Sequence, residues 1–247
     1  MTPPRFYIPP EYIQLPVITF PRDRCSQINN VLRLKTGDLV HVFDISGAEY
    51  QVRLTVVQRN DVQGEIVTVL QPQTEPTVEL ELWVCASRRE KIEWIIQKCT
   101  EIGAASFRLL VSERSLVQKI EDIQQKQDRW QQIAMEAAEQ SGRVHVPEIL
   151  LPLHIQQALS LPSGADTLKC IAWELDRQHT IDQLLQQIIP PQKVILVIGP
   201  EGGLSDTEVH FALDNGFHAI TLGNRIFRLE TAAIVGCVLM LNAFHTL

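Results

Sequence analysis

At 247 residues the chain is long enough to bury one large core or two smaller ones. Apolar residues make up 45% and charged residues 21%, the balance of an ordinary globular protein rather than a disordered one. The net charge of −7 argues against a purely electrostatic nucleic-acid binder, but residues 1–72 hold seven basic and seven acidic groups, so the whole deficit lies in 73–247.

The first ten residues lack the charged-then-apolar layout of a signal peptide. The longest apolar stretch, residues 232–241, is too short to cross a bilayer and reads as a buried helix. Neither export nor a membrane is expected. Cys25, Cys85, Cys99, Cys170 and Cys237 are odd in number, widely spaced and form no Cys-x-x-Cys pair. They suit a reducing cytoplasm better than a metal site or a disulfide framework.

Alternating apolar and polar residues predict half-buried strands over 38–44, 50–57 and 64–70. Lys35-Thr-Gly-Asp and Ile45-Ser-Gly-Ala supply the turns between them. Together they suggest a small β-barrel over residues 1–72. The polar run 71–77, with two prolines, marks a linker.

From residue 73 to 247 the texture changes. Strands at 78–86, 107–111, 168–174, 193–198 and 218–222 alternate with helices. These fall at 90–102, through Trp130, Ile133 and Ala137, and near 180–189, 205–215 and 230–244. Such alternation predicts an α/β domain with a parallel sheet covered on both faces.

The segment Val194-Ile-Leu-Val-Ile-Gly-Pro-Glu-Gly-Gly-Leu-Ser-Asp-Thr-Glu-Val joins a buried strand to a helix. Ser205 and Glu208 have the spacing of a capping box at the start of that helix. Gly199, Gly202 and Gly203 exceed what a simple connection requires and permit close approach of backbone to a ligand. Neither the P-loop nor the dinucleotide fingerprint is present. Turns at the carboxyl ends of parallel strands are where open α/β sheets bind ligands. A second turn at Gly223 follows the next strand, and Arg225, Arg228 and Glu230 crowd the loop after it.

Gly199-Pro-Glu-Gly-Gly followed by Leu222-Gly-Asn-Arg-Ile-Phe-Arg-Leu-Glu-Thr-Ala-Ala resembles the RsmE family, ribosomal RNA small subunit methyltransferase E. The likeness extends to Pro4-Arg-Phe-Tyr-Ile, Val31-Leu-Arg-Leu-Lys-Thr-Gly-Asp, Glu93-Trp-Ile-Ile-Gln-Lys-Cys-Thr-Glu-Ile-Gly, Ser112-Glu-Arg-Ser and Glu136-Ala-Ala-Glu-Gln-Ser-Gly-Arg. The chain departs from the family in offering Gln27, Ile28, Asn29 and Asn30 where a histidine usually precedes Val31, and Phe227 where leucine is usual.

The resemblance implies a PUA-like β-barrel over 1–72 and a SPOUT domain with a trefoil knot over 73–247, working as a homodimer. It implies transfer of a methyl group from S-adenosylmethionine to N3 of a uridine in small-subunit ribosomal RNA. The expected cofactor site comprises Glu174, Ile198, Gly199, Pro200, Gly202, Gly203, Leu222, Gly223, Ile226, Leu229, Thr231 and Ala232. Arg225 or Arg228 is expected to stabilise charge on the uracil oxygens. Glu201, or alternatively Glu230, is the candidate general base. Arg5, Arg22, Arg24, Arg33, Lys35, Arg88, Arg89, Arg114 and Arg143 are candidates for contacting RNA. Two alternatives stay open at this point: another target nucleotide or ribose hydroxyl, and a non-catalytic RNA-binding assembly protein.

Overall fold

The computed structural model describes residues 3–174, 181–185 and 190–244. Its contacts divide the chain into two compact units, Met1–Glu75 with Ala138–Val146, and Pro76–Ala137 with Pro147–Leu247.

The first unit is a six-stranded sheet built from β1 (Arg5–Tyr7), β2 (Ile13–Gln14), β3 (Val17–Thr19), β4 (Leu39–Phe43), β5 (Glu49–Gln58) and β6 (Asp61–Leu70). Their order is β1-β4-β5-β6-β3-β2. Register shifts between β5 and β6 at Gln51/Val52 and Leu54/Val56 bend the long hairpin. The sheet curls into a half-barrel around Phe6, Ile18, Phe20, Ile28, Val40, Val42, Val52 and Leu54. Helix α1 (Arg22–Ser26) runs into a wider π-type turn over Gln27–Val31. In that turn Asn29 donates to the carbonyls of Cys25 and Gln58, so the stretch lacking the family's histidine does local structural work.

Where the sequence suggests a division at 72/73, the contacts divide the chain after Glu75 and return residues 138–146 to the first unit. Buried ion pairs hold that return. Arg5 donates to Glu49 and to the carbonyls of Ala138, Glu139 and Arg143. Arg24 pairs with Glu139 at 2.5 Å and Arg143 with Glu75 at 2.6 Å.

The second unit holds β7 (Glu79–Cys85), α2 (Arg89–Ile102), β8 (Ser106–Val111), α3 (Ile120–Gln124) and the start of α4 (Gln127–Ser141). It continues through β9 (Glu148–His154), α5 (Ile155–Leu159), β10 (Thr167–Ala172), α6 (Ile181–Leu185), β11 (Lys193–Ile198), α7 (Asp206–Asp214), β12 (His218–Ile220) and α8 (Leu229–Ala243). The remainder of the helix expected near 180–189 lies outside the described residues. Every strand pairing in this sheet is parallel, in the order β12-β10-β11-β7-β8-β9.

Alternation with period two sends Leu80, Leu82, Val84, Val194, Leu196 and Ile198 to one core, with residues of α2 and α8. Trp83, Cys85, Ile195 and Val197 point to the other, with residues of α5 and α7. Sequence pattern did not disclose β9. It is an edge strand carrying Pro152, where a missing amide is tolerated, and its register with β8 shifts at Arg108/Leu110. All five cysteines are free and buried. Among the described residues no helix is long and apolar enough to cross a membrane.

Glu139→Ala removes the buried carboxylate that pairs with the Arg24 guanidinium at 2.5 Å. The first unit should lose about 3–5 kcal/mol, read as a fall in the urea midpoint.

Candidate functional site

Ala172 at the end of β10 pairs in register with Ile198 of β11 and Ile220 of β12. Three adjacent parallel strands therefore stop at one level, and the loops after them open onto one cavity of about 590 Å³. Glu174, Ile198, Gly199, Pro200, Gly203, Leu222, Gly223, Ile226, Leu229 and Ala232 line it, together with Glu201, Arg225 and Arg228. Ala172, Trp173, Thr221, Asn224 and Phe227 complete the wall. Of these, Ala172, Trp173 and Thr221 carry no local motif; only the shared strand level could have pointed to them.

Two expected lining residues do not line the cavity. Gly202 serves Arg114: a Cβ there would press on the Arg114 side chain at 3.2 Å, and Arg114 donates to the Gly202 carbonyl at 3.2 Å. Thr231 lies on the exposed side of α8, one position from Ala232, which faces inward.

The walls are held by local chemistry. Ser205 and Glu208 form the reciprocal capping box of α7, and Glu208 also accepts the Glu113 amide at 2.8 Å. The Gly203 amide donates to the Pro200 carbonyl at 2.9 Å. Gly203 has φ +72°, so this position needs glycine for its conformation, and its open side lets the Glu174 carboxylate lie against it. Gly223, at φ +123°, is fixed by its amide donating to the Thr221 hydroxyl at 3.2 Å. Beneath the loops, Gly236 lets α8 approach the sheet, where a Cβ would meet Leu196 at 2.8 Å.

The two carboxylates singled out by sequence share one cation. Lys91 Nζ on α2 lies 3.1 Å from Glu201 Oε1 and 3.2 Å from Glu230 Oε2. Ser87, just before α2, donates its hydroxyl to Glu201 as well. Burial pushes the Glu201 carboxyl up, but Ser87, its own amide and Lys91 outweigh it and leave the group below the usual carboxylate range. Glu230 shows the same balance between burial and the combined pull of its own amide, Lys91 and Arg228. Burial opposes the charge on Lys91, and the two carboxylates raise its pKa despite that.

Both arginines are exposed at the rim, Arg228 as the residue immediately before α8. The nine candidates for RNA contact separate into two groups. Arg22, Arg33, Lys35, Arg88, Arg89 and Arg114 are exposed, and Arg89 pairs with Glu93 along α2. Arg5, Arg24 and Arg143 depart from the expectation. Their guanidinium groups are enclosed in the ion pairs of the first unit, and a phosphate could reach them only by displacing carboxylates. Sequence reading also missed Lys91 and Ser87, since neither belongs to a recognisable motif.

The parallel sheet with a glycine-walled cavity at its strand ends and the curled half-barrel are those of a SPOUT-type RNA methyltransferase with a PUA-like domain, as the matches to known families and structures show. The RNA methyltransferase domain family matches residues 73–241 and the RNA methyltransferase PUA domain matches 28–67. Ribosomal RNA small subunit methyltransferase E of Synechocystis sp. is 32% identical over 231 residues, covering 94% of this chain and 75% of that protein. The Bacillus subtilis protein of the same name is 30% identical over 226 residues, covering 90% and 88%. Among solved structures, that of the Neisseria gonorrhoeae methyltransferase E bound to S-adenosyl methionine superposes with a TM-score of 0.87 at 29% identity, covering 97% of each chain. A Legionella pneumophila methyltransferase in complex with the same cofactor gives 0.87 at 30% identity, covering 99% and 98%. The chain belongs to the ribosomal RNA small subunit methyltransferase E family.

Ser205→Ala removes one half of the cap on α7 and should lower stability by about 1 kcal/mol, measured as a shift of the denaturant midpoint at unchanged slope.

Proposed function

We propose that this chain transfers a methyl group from S-adenosylmethionine to N3 of a uridine in small-subunit ribosomal RNA. The observation that carries the reading is the cavity at the level ends of β10, β11 and β12, with Arg225 and Arg228 on its rim.

The residues present fit the cofactor. The cavity's volume of about 590 Å³ lies within the usual range for cofactor sites, about 300–1,000 Å³. Its walls combine the apolar side chains of Ile198, Leu222, Leu229 and Ala232 with backbone brought close by Gly199, Gly203 and Gly223. Glu174 and Glu201 add acidic groups suited to hydroxyl and ammonium donors. When bound, the cofactor supplies an electrophilic methyl group.

The protein's task is to make uridine N3 a nucleophile and to align it. N3–H is a weak acid, and its loss spreads negative charge over O2 and O4. Arg225 and Arg228 remain charged at any working pH and present several donors, so they favour the deprotonated base. The N3 proton would leave to solvent at the open rim, freeing the N3 lone pair for the methyl group that a bound cofactor would supply from its sulfonium. Glu201 and Glu230 are both engaged by the Lys91 ammonium, at 3.1 and 3.2 Å. We assign them to the loops and not to the proton.

For the RNA, exposed Arg22, Arg33, Lys35, Arg88, Arg89 and Arg114 are the proposed contacts. Arg114 is fixed beside the cavity through Gly202. Six such residues on a chain of net charge −7 favour a substrate already shaped within the small subunit over free RNA. The same reading includes a cytoplasmic homodimer with a trefoil knot. Exposed Ile226, Val238 and Leu239 support a covering second copy, and the placement of β11 between β7 and β10 supports the knot.

Labelled S-adenosylmethionine incubated with small subunits from cells lacking this protein, then digested to nucleosides, tests the reading. Label in 3-methyluridine is expected, and label in any other nucleoside would overturn the assigned atom. Arg228→Ala should lower turnover at least about a hundredfold while cofactor affinity stays within a few fold; wild-type turnover would remove Arg228 from the mechanism.

A further inference from the structure

Helix α2 is anchored through Ile92, Ile95, Ile96 and Cys99, all buried in the core beneath the cavity. Lys91 therefore projects from a rigid platform, one residue before the first of these anchors. Its ammonium reaches two loops that are far apart in the chain. Glu201 belongs to the loop after β11 and Glu230 to the first turn of α8, and both loops line the cavity.

We propose that Lys91 is a positioning residue that ties these two loops together and so sets the width of the S-adenosylmethionine cavity, an inference resting on the function proposed above. Two carboxylates within 3.1 and 3.2 Å of one nitrogen stand close enough to repel strongly once that nitrogen is removed. Ser87 and its own amide hold Glu201, and its own amide holds Glu230, while among the described residues Lys91 is the cation paired with both. Without it the loops separate and the cavity opens.

The bridge has a distinctive pH signature. In the wild type both carboxyls sit below their ordinary range, so the bridge is intact at neutral pH and is lost only as pH falls through those depressed values. In Lys91→Met the same carboxyls lose one of the groups that lower them and keep Ser87, Arg228 and the backbone amides, so protonation relieves their mutual repulsion at a higher pH than in the wild type.

Calorimetric titration with S-adenosylmethionine on the full chain provides the test. Lys91→Met should weaken binding at least tenfold at pH 7.5, and Lys91→Arg should remain within about threefold. Lowering the pH to 5.5 should partly restore affinity in Lys91→Met while leaving the wild type unchanged. Glu230→Gln, which leaves Glu201 paired, should weaken binding three- to fivefold and serves if Lys91→Met fails to fold. Wild-type affinity in either variant overturns this inference alone. Absence of binding by the wild-type chain overturns both it and the proposed function.

Discussion

Level termination of three parallel strands is the constraint on which the functional half of the molecule depends. Ala172, Ile198 and Ile220 stand side by side, so the chain must turn three times within a small area, and one cavity serves all three turns. Both faces of the sheet are covered, by α2 and α8 on one side and α5 and α7 on the other. A ligand is therefore left the strand ends, the place open α/β sheets generally offer.

Glycines near the cavity have separate tasks. Gly203 is required by its positive φ, Gly202 lies close against the Arg114 side chain, and Gly236 permits the approach of α8 to Leu196. They share a physical reason, since each removes a Cβ where backbone must come close to something else, yet only some of those neighbours belong to the cavity. A glycine-rich signature thus overstates how many of its members line the cavity.

Ion pairs divide the charged residues by function. In the first unit, Arg5, Arg24 and Arg143 spend their charge on Glu49, Glu139 and Glu75 and fasten residues 138–146 to the half-barrel. Around the cavity, Lys91 fastens Glu201 and Glu230. Arg225 and Arg228 stand exposed at the rim. This division explains how a chain of net charge −7 can still present exposed cations at the cavity rim.

Local sequence determined much of this protein. Period-two runs located β4 to β6, short apolar runs alternating with helices located β7, β8 and β10 to β12, the Ser205–Glu208 spacing located the start of α7, and the clustered glycines located most of the cavity wall. Each of these signals arises from residues near one another in the chain, where backbone preference and side-chain alternation act directly. Tertiary structure decided the rest. Ser87 and Glu201 meet across 114 positions and Arg24 and Glu139 across 115, and no local pattern encodes such pairings. Lys91 reads as a solvated helix lysine, and Arg24 and Arg143 as surface cations, until the fold brings carboxylates to them. A charge is typed by its sequence, but its role depends on what long-range packing places within a few ångströms of it.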